Sequence, residues 1–139
     1  MLVVTVILMA CSTTQNMKPG TTNDRLSPCP KSPNCVSSLS EDKSHYVAAL
    51  TYKGTLKEAR EKLISVMNSM KRSEIVTAEI DYILATFKSA LFGFVDDVEF
   101  SFDDQRKIID VRSASRTGYS DLGVNRKRVE EIRKRFVNP

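Results

Sequence analysis

Apolar residues recur at spacings of three and four from Leu56 to Met70, through Ala59, Leu63, Val66 and Met67, while Lys57, Glu58, Glu61 and Lys62 take the other side. That period predicts an amphipathic helix with one buried stripe, and Thr55 and Glu58 supply a capping box at its start. The segment before it, Tyr46 to Tyr52, reads as a short strand ended by Gly54. Four further strands are expected at about 73 to 79, 82 to 90, 94 to 102 and 107 to 116. The gaps between them are too short for parallel crossovers, which take about a dozen or more residues, so an antiparallel meander follows. A final helix is expected from about Asp121, capped by Ser120 or Asp121, with Leu122, Val129, Ile132 and Phe136 as its buried stripe. Asn125 falls on that stripe, and a polar group there requires a specific partner.

The last hairpin has a predicted register. A turn at Asp104 and Gln105, or over Asp103 to Arg106, sets Phe100 opposite Ile109 and Val98 opposite Val111, whereas a slip of one residue sets apolar against polar. On the other face the same pairing sets Asp97 opposite Arg112 and Glu99 opposite Asp110, a charge ladder expected to be solvated. Asp96, Ser113 and Ser115 fall on the core side, where a carboxylate needs a partner, and the hydroxyls with Arg116 are its natural ones. The elements together predict an α+β fold: a single two-layer domain, a mainly antiparallel sheet of about five strands packed by two helices.

The N-terminus changes the picture of where the domain works. Leu2 to Met9 is apolar apart from Thr5, too short to span a bilayer, and is followed by Ala10, Cys11 and a run of small polar residues. The order Leu8, Met9, Ala10, Cys11 resembles a bacterial lipobox, in which the cysteine is acylated and becomes the first mature residue, although no Lys or Arg precedes the apolar run. Residues 1 to 10 are therefore expected to be a lipoprotein signal segment, 11 to 27 the acylated cysteine and a flexible tether, and 28 to 139 the domain. Ser12, rather than Asp, after the cysteine points to the outer membrane, facing the periplasm. In that compartment Cys29 and Cys35 are expected to be joined as a short structural staple. Zinc binding is disfavoured, because His45 is the one other soft ligand near by. His45 also lacks the neighbours of a catalytic triad and is expected at the surface.

The net charge of +4 is mild but unevenly spread, with residues 73 to 104 acidic and 105 to 139 basic. No nucleic-acid motif accompanies the basic end, so no nucleic-acid partner is expected. Candidate chemistry concentrates where the last strand gives way to the last helix. Arg112, Ser115, Arg116, Tyr119, Ser120, Asn125 and Arg126 form a candidate ligand-binding set for an anionic group, helped by the amides of the helix start. Asp96, Asp97 and Glu99 form a candidate carboxylate cluster that would serve a hydrolase as acid, base or metal ligand. The bland alternative is that these arginines and acids are a structural network tying the hairpin to the helix. No resident metal or cofactor is implied.

The segments CPKSPNCVSS at 29 to 38 with the preceding proline, FGFVDDVEF at 92 to 100 and VRSASRTGYSDLGVNRKRVEEIR at 111 to 133 resemble the bacterial domain-of-unknown-function 1499 family. The resemblance runs from about Leu26 to the C-terminus. It implies a secreted or lipid-anchored envelope protein and supplies no reaction and no catalytic residues. Leu122 to Arg126 is also similar to the spacing of leucine, small residue and arginine in outer-membrane peptidoglycan-associating domains, with the following valine out of step. The expected function is thus a binding or interaction module for an anionic small molecule or an envelope protein, with a hydrolase or a peptidoglycan-associated lipoprotein as alternatives.

Overall fold

The computed structural model describes residues 21, 22 and 25–138; the lipobox with Cys11 and most of the expected tether lie outside them. In chain order the elements are β1 (Thr21–Thr22), β2 (Arg25–Leu26), β3 (Cys35–Ser37), β4 (Leu50–Thr51), α1 (Leu56–Ser69), β5 (Ser73–Ala78), β6 (Tyr82–Lys88), β7 (Val95–Asp103), β8 (Ile108–Ser115) and α2 (Val124–Val137). The main sheet runs β3-β8-β7-β6-β5, with β4 also pairing β8, and every ladder in it is antiparallel. Both helices cover one face, so the domain has the expected α+β class and two-layer build.

The strand expected at 46 to 52 shrinks to Leu50–Thr51, with Tyr46 making one isolated bridge to Ser37. The edge of β8 decides this. β3 already pairs with it from Arg112 to Ala114, so the 46 to 52 segment finds a free partner only at Ile108 and Ile109.

α1 begins as its sequence requires. The Thr55 hydroxyl accepts from the Glu58 amide and the Glu58 carboxylate accepts from the Thr55 amide. Its buried stripe of Ala59, Leu63, Val66 and Met67 meets Val129, Ile132 and Phe136 of α2 over the sheet's Ile83, Val98, Phe100 and Val111. The far face of the sheet is not left open. Leu26, assigned to the tether by composition, is buried there against Tyr82 and Leu84. Because both faces are covered, β6 is buried at every position from Tyr82 to Phe87.

The hairpin register differs from expectation by two residues. Phe100 faces Val111, Phe102 faces Ile109, Glu99 faces Arg112 and Asp97 faces Ala114. Since side chains alternate with period two, a shift of two keeps every residue on its expected face, and hydrophobicity does not distinguish the two registers. The turn does. It covers residues 104 to 107, closed by the Arg106 amide on Asp103 Oδ1 at 2.9 Å, with Lys107 in the left-handed region at φ 55°. The repulsive Glu99–Asp110 pairing is therefore never formed.

Candidate functional site at the strand-to-helix end of the sheet

β8 ends at Ser115 beside the start of β7, and the Arg116 amide continues the ladder by donating to the Val95 carbonyl at 3.0 Å. The chain then turns through residues 116 to 123 into α2. That helix starts at Val124, later than expected, with Gly123 as N-cap at φ 79°. Asp121 explains the delay: its carboxylate accepts from the Gly123 amide at 2.8 Å and from the Asn125 amide at 2.9 Å, holding a turn ahead of the helix. Leu122 is thereby forced outward, 87 % exposed at φ 53°, and is not part of the buried stripe. Burial pushes the Asp121 carboxyl up, but the Asn125 and Gly123 donors outweigh it and hold the group below the usual aspartate range. The helix-start amides of Gly123 and Asn125 are therefore engaged, and not held open for an anion.

Asn125 is the hub beneath the connection and is fully buried. Its amide nitrogen donates to Asp121 Oδ2 at 2.7 Å, Ser115 Oγ at 3.0 Å and, more weakly, the Asn34 carbonyl at 3.3 Å. Its oxygen accepts from Ser113 Oγ and from Arg128 Nη1 at 2.8 Å. Arg128 also binds Asp96 at 2.6 Å and lies 4.7 Å from the centre of the Phe87 ring. The buried partner of Asp96 is therefore Arg128, and not Arg116. Asn34 completes the set by donating from its side chain to the Gly118 carbonyl at 2.7 Å, which pins the connection from the β3 side.

The other arginines of the candidate set have different tasks. Arg116 grips Asp97 through two hydrogen bonds of 2.8 and 2.9 Å, with half of its side chain left accessible. Arg126 donates to the backbone carbonyls of Tyr46 and Ser44 at 2.6 and 2.8 Å, stitching α2 to the loop before β4. Arg112 lies on the far face of the sheet, 3.1 Å from Glu99. Glu99 was expected in a solvated ladder, but it is fully buried and also accepts from the Tyr82 hydroxyl at 2.7 Å. Burial pushes its carboxyl up, against the downward pull of Tyr82 and Arg112. The cover supplied around Leu26 is why this pair is dry.

Alternation therefore divides the three carboxylates. Asp96 faces the helices with Arg128, while Asp97 and Glu99 face the other way with Arg116 and Arg112. Ser115 bonds Asn125, the Ser120 hydroxyl accepts from the Leu122 amide at 3.3 Å, and Tyr119 stands 75 % exposed. Among the described residues, no three His, Cys, Asp or Glu side chains are placed to hold one metal ion.

Sequence reasoning missed Asn34 and Arg128, whose roles depend on contacts across the fold. It also misplaced His45. That ring is buried, with Nδ1 2.8 Å from the Cys35 carbonyl, so the neutral form carries its proton on Nδ1 and leaves Nε2 as an acceptor. His45 lines a cavity of about 410 Å³ with Leu26, Lys31 and Glu41, beside the Cys29–Cys35 disulfide, which is formed. No described helix is long and apolar enough to cross a membrane.

The fold and this end of the sheet define a small disulfide-stapled α+β domain whose polar residues are largely engaged with one another. The chain belongs to the family described as protein of unknown function (DUF1499), whose model matches residues 25–136. No curated protein matches the chain.

Proposed function

We propose that the protein is a binding module of the bacterial envelope, anchored by an acylated Cys11 to the outer membrane and facing the periplasm. On this reading the strand-to-helix end takes an anionic ligand or an envelope protein. The observation that carries it is the division of labour at the connection. A completed network of Asn125, Asp121, Asp96 and Arg128 holds residues 116 to 123 from beneath, while the accessible half of Arg116, Ser120 and the Tyr119 hydroxyl face outward. Rigid support under exposed donors suits recognition, because little ordering entropy remains to be lost on binding. The hydrolase alternative draws less support, since its carboxylates are split between two faces and each is paired with an arginine. The peptidoglycan alternative would use Arg126, which is committed to the backbone carbonyls of Tyr46 and Ser44.

Thermal-shift measurements on the full chain against murein fragments, phosphorylated sugars, lipid head groups and divalent metals test the reading. An anionic compound is expected to raise the melting temperature of the parent and not that of Arg116→Ala. The substitution itself should cost about 1–2 kcal/mol, since Arg116 is half exposed while the Asp97 side chain, 14 % exposed, loses both of its hydrogen bonds to it. A variant that keeps the full ligand response would remove Arg116 from the site. Anchoring is checked by mass spectrometry of the mature protein, whose first residue should be Cys11 carrying the acyl mass, and which Cys11→Ser should lose; a mature parent protein without that mass would rule out acylation at Cys11.

A further inference from the structure

More than half of the exposed large apolar side chains of the described residues are gathered at the same end of the sheet as the connection. Leu91 (87 % exposed), Phe92 (77 %) and Phe94 stand on the β6–β7 turn, and Tyr119, Leu122 and Val124 on the β8–α2 connection. These two loops leave the adjacent strands β7 and β8 at the same end, where Arg116 donates to Val95. The β6–β7 turn is a built projection. The Ser89 amide donates to the Phe94 carbonyl at 2.8 Å, the Phe94 amide donates back to Ser89 Oγ at 3.0 Å, and Gly93 takes φ 64° to close the tip. Phe92 and Phe94 lie 5.7 Å apart, centre to centre. Solvating such a cluster is unfavourable, and exposed apolar patches of this kind mark contact surfaces.

Charge identifies what they contact. Lys71, Arg72 and Lys88 lie at this end, with Lys88 and Arg72 joined by a backbone hydrogen bond of 3.1 Å, and Lys127 lies in the first turn of α2. Arg72 also donates from Nε to the Lys88 carbonyl at 3.2 Å, and none of these four makes an ion pair among the described residues. The nearby acids are spent internally, Asp96 on Arg128, Asp97 on Arg116 and Asp121 on the helix start. Glu74, which shares a shallow recess with Arg72 and Lys88, offsets only part of the positive charge. Projecting leucine and phenylalanine tips among unpaired cations match the two layers of an anionic bilayer surface, with the apolar tips in the acyl region and the cations among the head groups.

We infer that the β6–β7 turn and the β8–α2 connection together form a peripheral membrane-contact tip, with Leu91, Phe92 and Leu122 entering an anionic lipid surface and Lys71, Arg72, Lys88 and Lys127 holding its head groups. The inference rests on reading this end as the binding end, and it names the partner. It gives the domain a second membrane contact, separate from acylation at Cys11.

The test uses residues 12–139, which keep every described element and lack both Cys11 and the apolar leader, so that neither contributes, in flotation with vesicles of phosphatidylethanolamine and phosphatidylglycerol or of phosphatidylcholine alone. The protein is expected to float with the anionic vesicles and not with the neutral ones. Leu91→Ser with Phe92→Ser should weaken binding by about tenfold or more, since two exposed side chains lose their burial in lipid. Lys71→Glu with Lys88→Glu, or salt at about 0.5 M, should weaken it as well. All four positions are exposed, so unchanged melting temperatures will show that the variants fold. A parent that binds neither vesicle, or a Leu91/Phe92 variant that binds as well as the parent, overturns the inference. So does a dimer in sedimentation that the same variant dissociates, because a second copy would then cover the tip. A soluble anion whose thermal shift depends on Arg116, without vesicle binding, would overturn the membrane tip while leaving the proposed function standing.

Discussion

Asn125 shows how much a single buried polar residue organises. It accepts from Ser113 and Arg128 and donates to Asp121, Ser115 and Asn34, and no solvent reaches it. Asn125→Ala strands several of these groups at once, and a loss of about 3 kcal/mol in urea unfolding is expected. Asp121 has a pH signature. Its folded pKa is depressed, so its contribution is complete above the ordinary aspartate range and disappears as pH falls through the depressed value. The melting-temperature gap between parent and Asp121→Asn should accordingly be constant near neutrality and close in acid. Glu99 has the opposite sign: its folded pKa is raised, so its contribution is full below the ordinary glutamate range and is lost as pH rises through the folded value. Arg112→Met leaves that buried carboxylate unpaired, at a cost of about 3 kcal/mol at pH 7, and Glu99→Gln added to it should recover most of the loss. The single variant's deficit should also shrink as pH falls from neutrality and protonation discharges Glu99; a deficit independent of pH would contradict this account.

At the scale of elements, the turns settle what hydrophobic periodicity leaves open. Two registers of the β7–β8 hairpin share the same faces, and the 104 to 107 turn selects the one that pairs Glu99 with Arg112. The β8–α2 connection makes a similar choice, with Asp121 stopping the helix from starting before Val124 and placing Leu122 in the left-handed region, unpacked. Relief of that backbone strain means that Leu122→Gly should stabilise the domain by about 0.5–1 kcal/mol, the difference between left-handed strain and glycine's greater unfolded entropy. The same substitution should lower vesicle affinity. A residue that costs stability and returns it when removed is what a contact residue, and not a core residue, predicts. α1 was legible to its cap because its signals are local: Thr55 and Glu58 are three residues apart.

At the scale of the whole molecule, both faces of the sheet are covered. Leu26 seals Tyr82 and Leu84, and the Cys29–Cys35 disulfide follows it within the same segment before the chain enters β3. Reduction should therefore loosen the lid of this face as well as release a short loop. A loss of about 2 kcal/mol is expected for a ring of this size, read as a fall in melting temperature with reductant. Arg126 and Arg133 reach backward from α2 to carbonyls in the segment from Ser44 to Ala49, so the C-terminal helix also locks the segment before β4. The basic face of α2 is thus partly structural, and its exposed remainder includes Lys127 at the contact end.

The sequence by itself determined the class of fold, both helices, the four main strands, the side of the sheet each residue faces, and the concentration of polar groups between β8 and α2. These follow from local signals, because period, capping chemistry and turn residues act within a few positions of one another. Only the tertiary structure decided the hairpin register, the partners of each carboxylate, the burial of His45 and Glu99, and the roles of Asn34 and Arg128. Those depend on residues far apart in the chain: Asn34 and Asn125 meet across β3 and α2, and Asp96 and Arg128 meet across β7 and α2. The apolar tip is of the same kind. Leu91 and Leu122 look like ordinary hydrophobic residues in the sequence, and their exposure at one end arises only when two turns leave neighbouring strands on the same side.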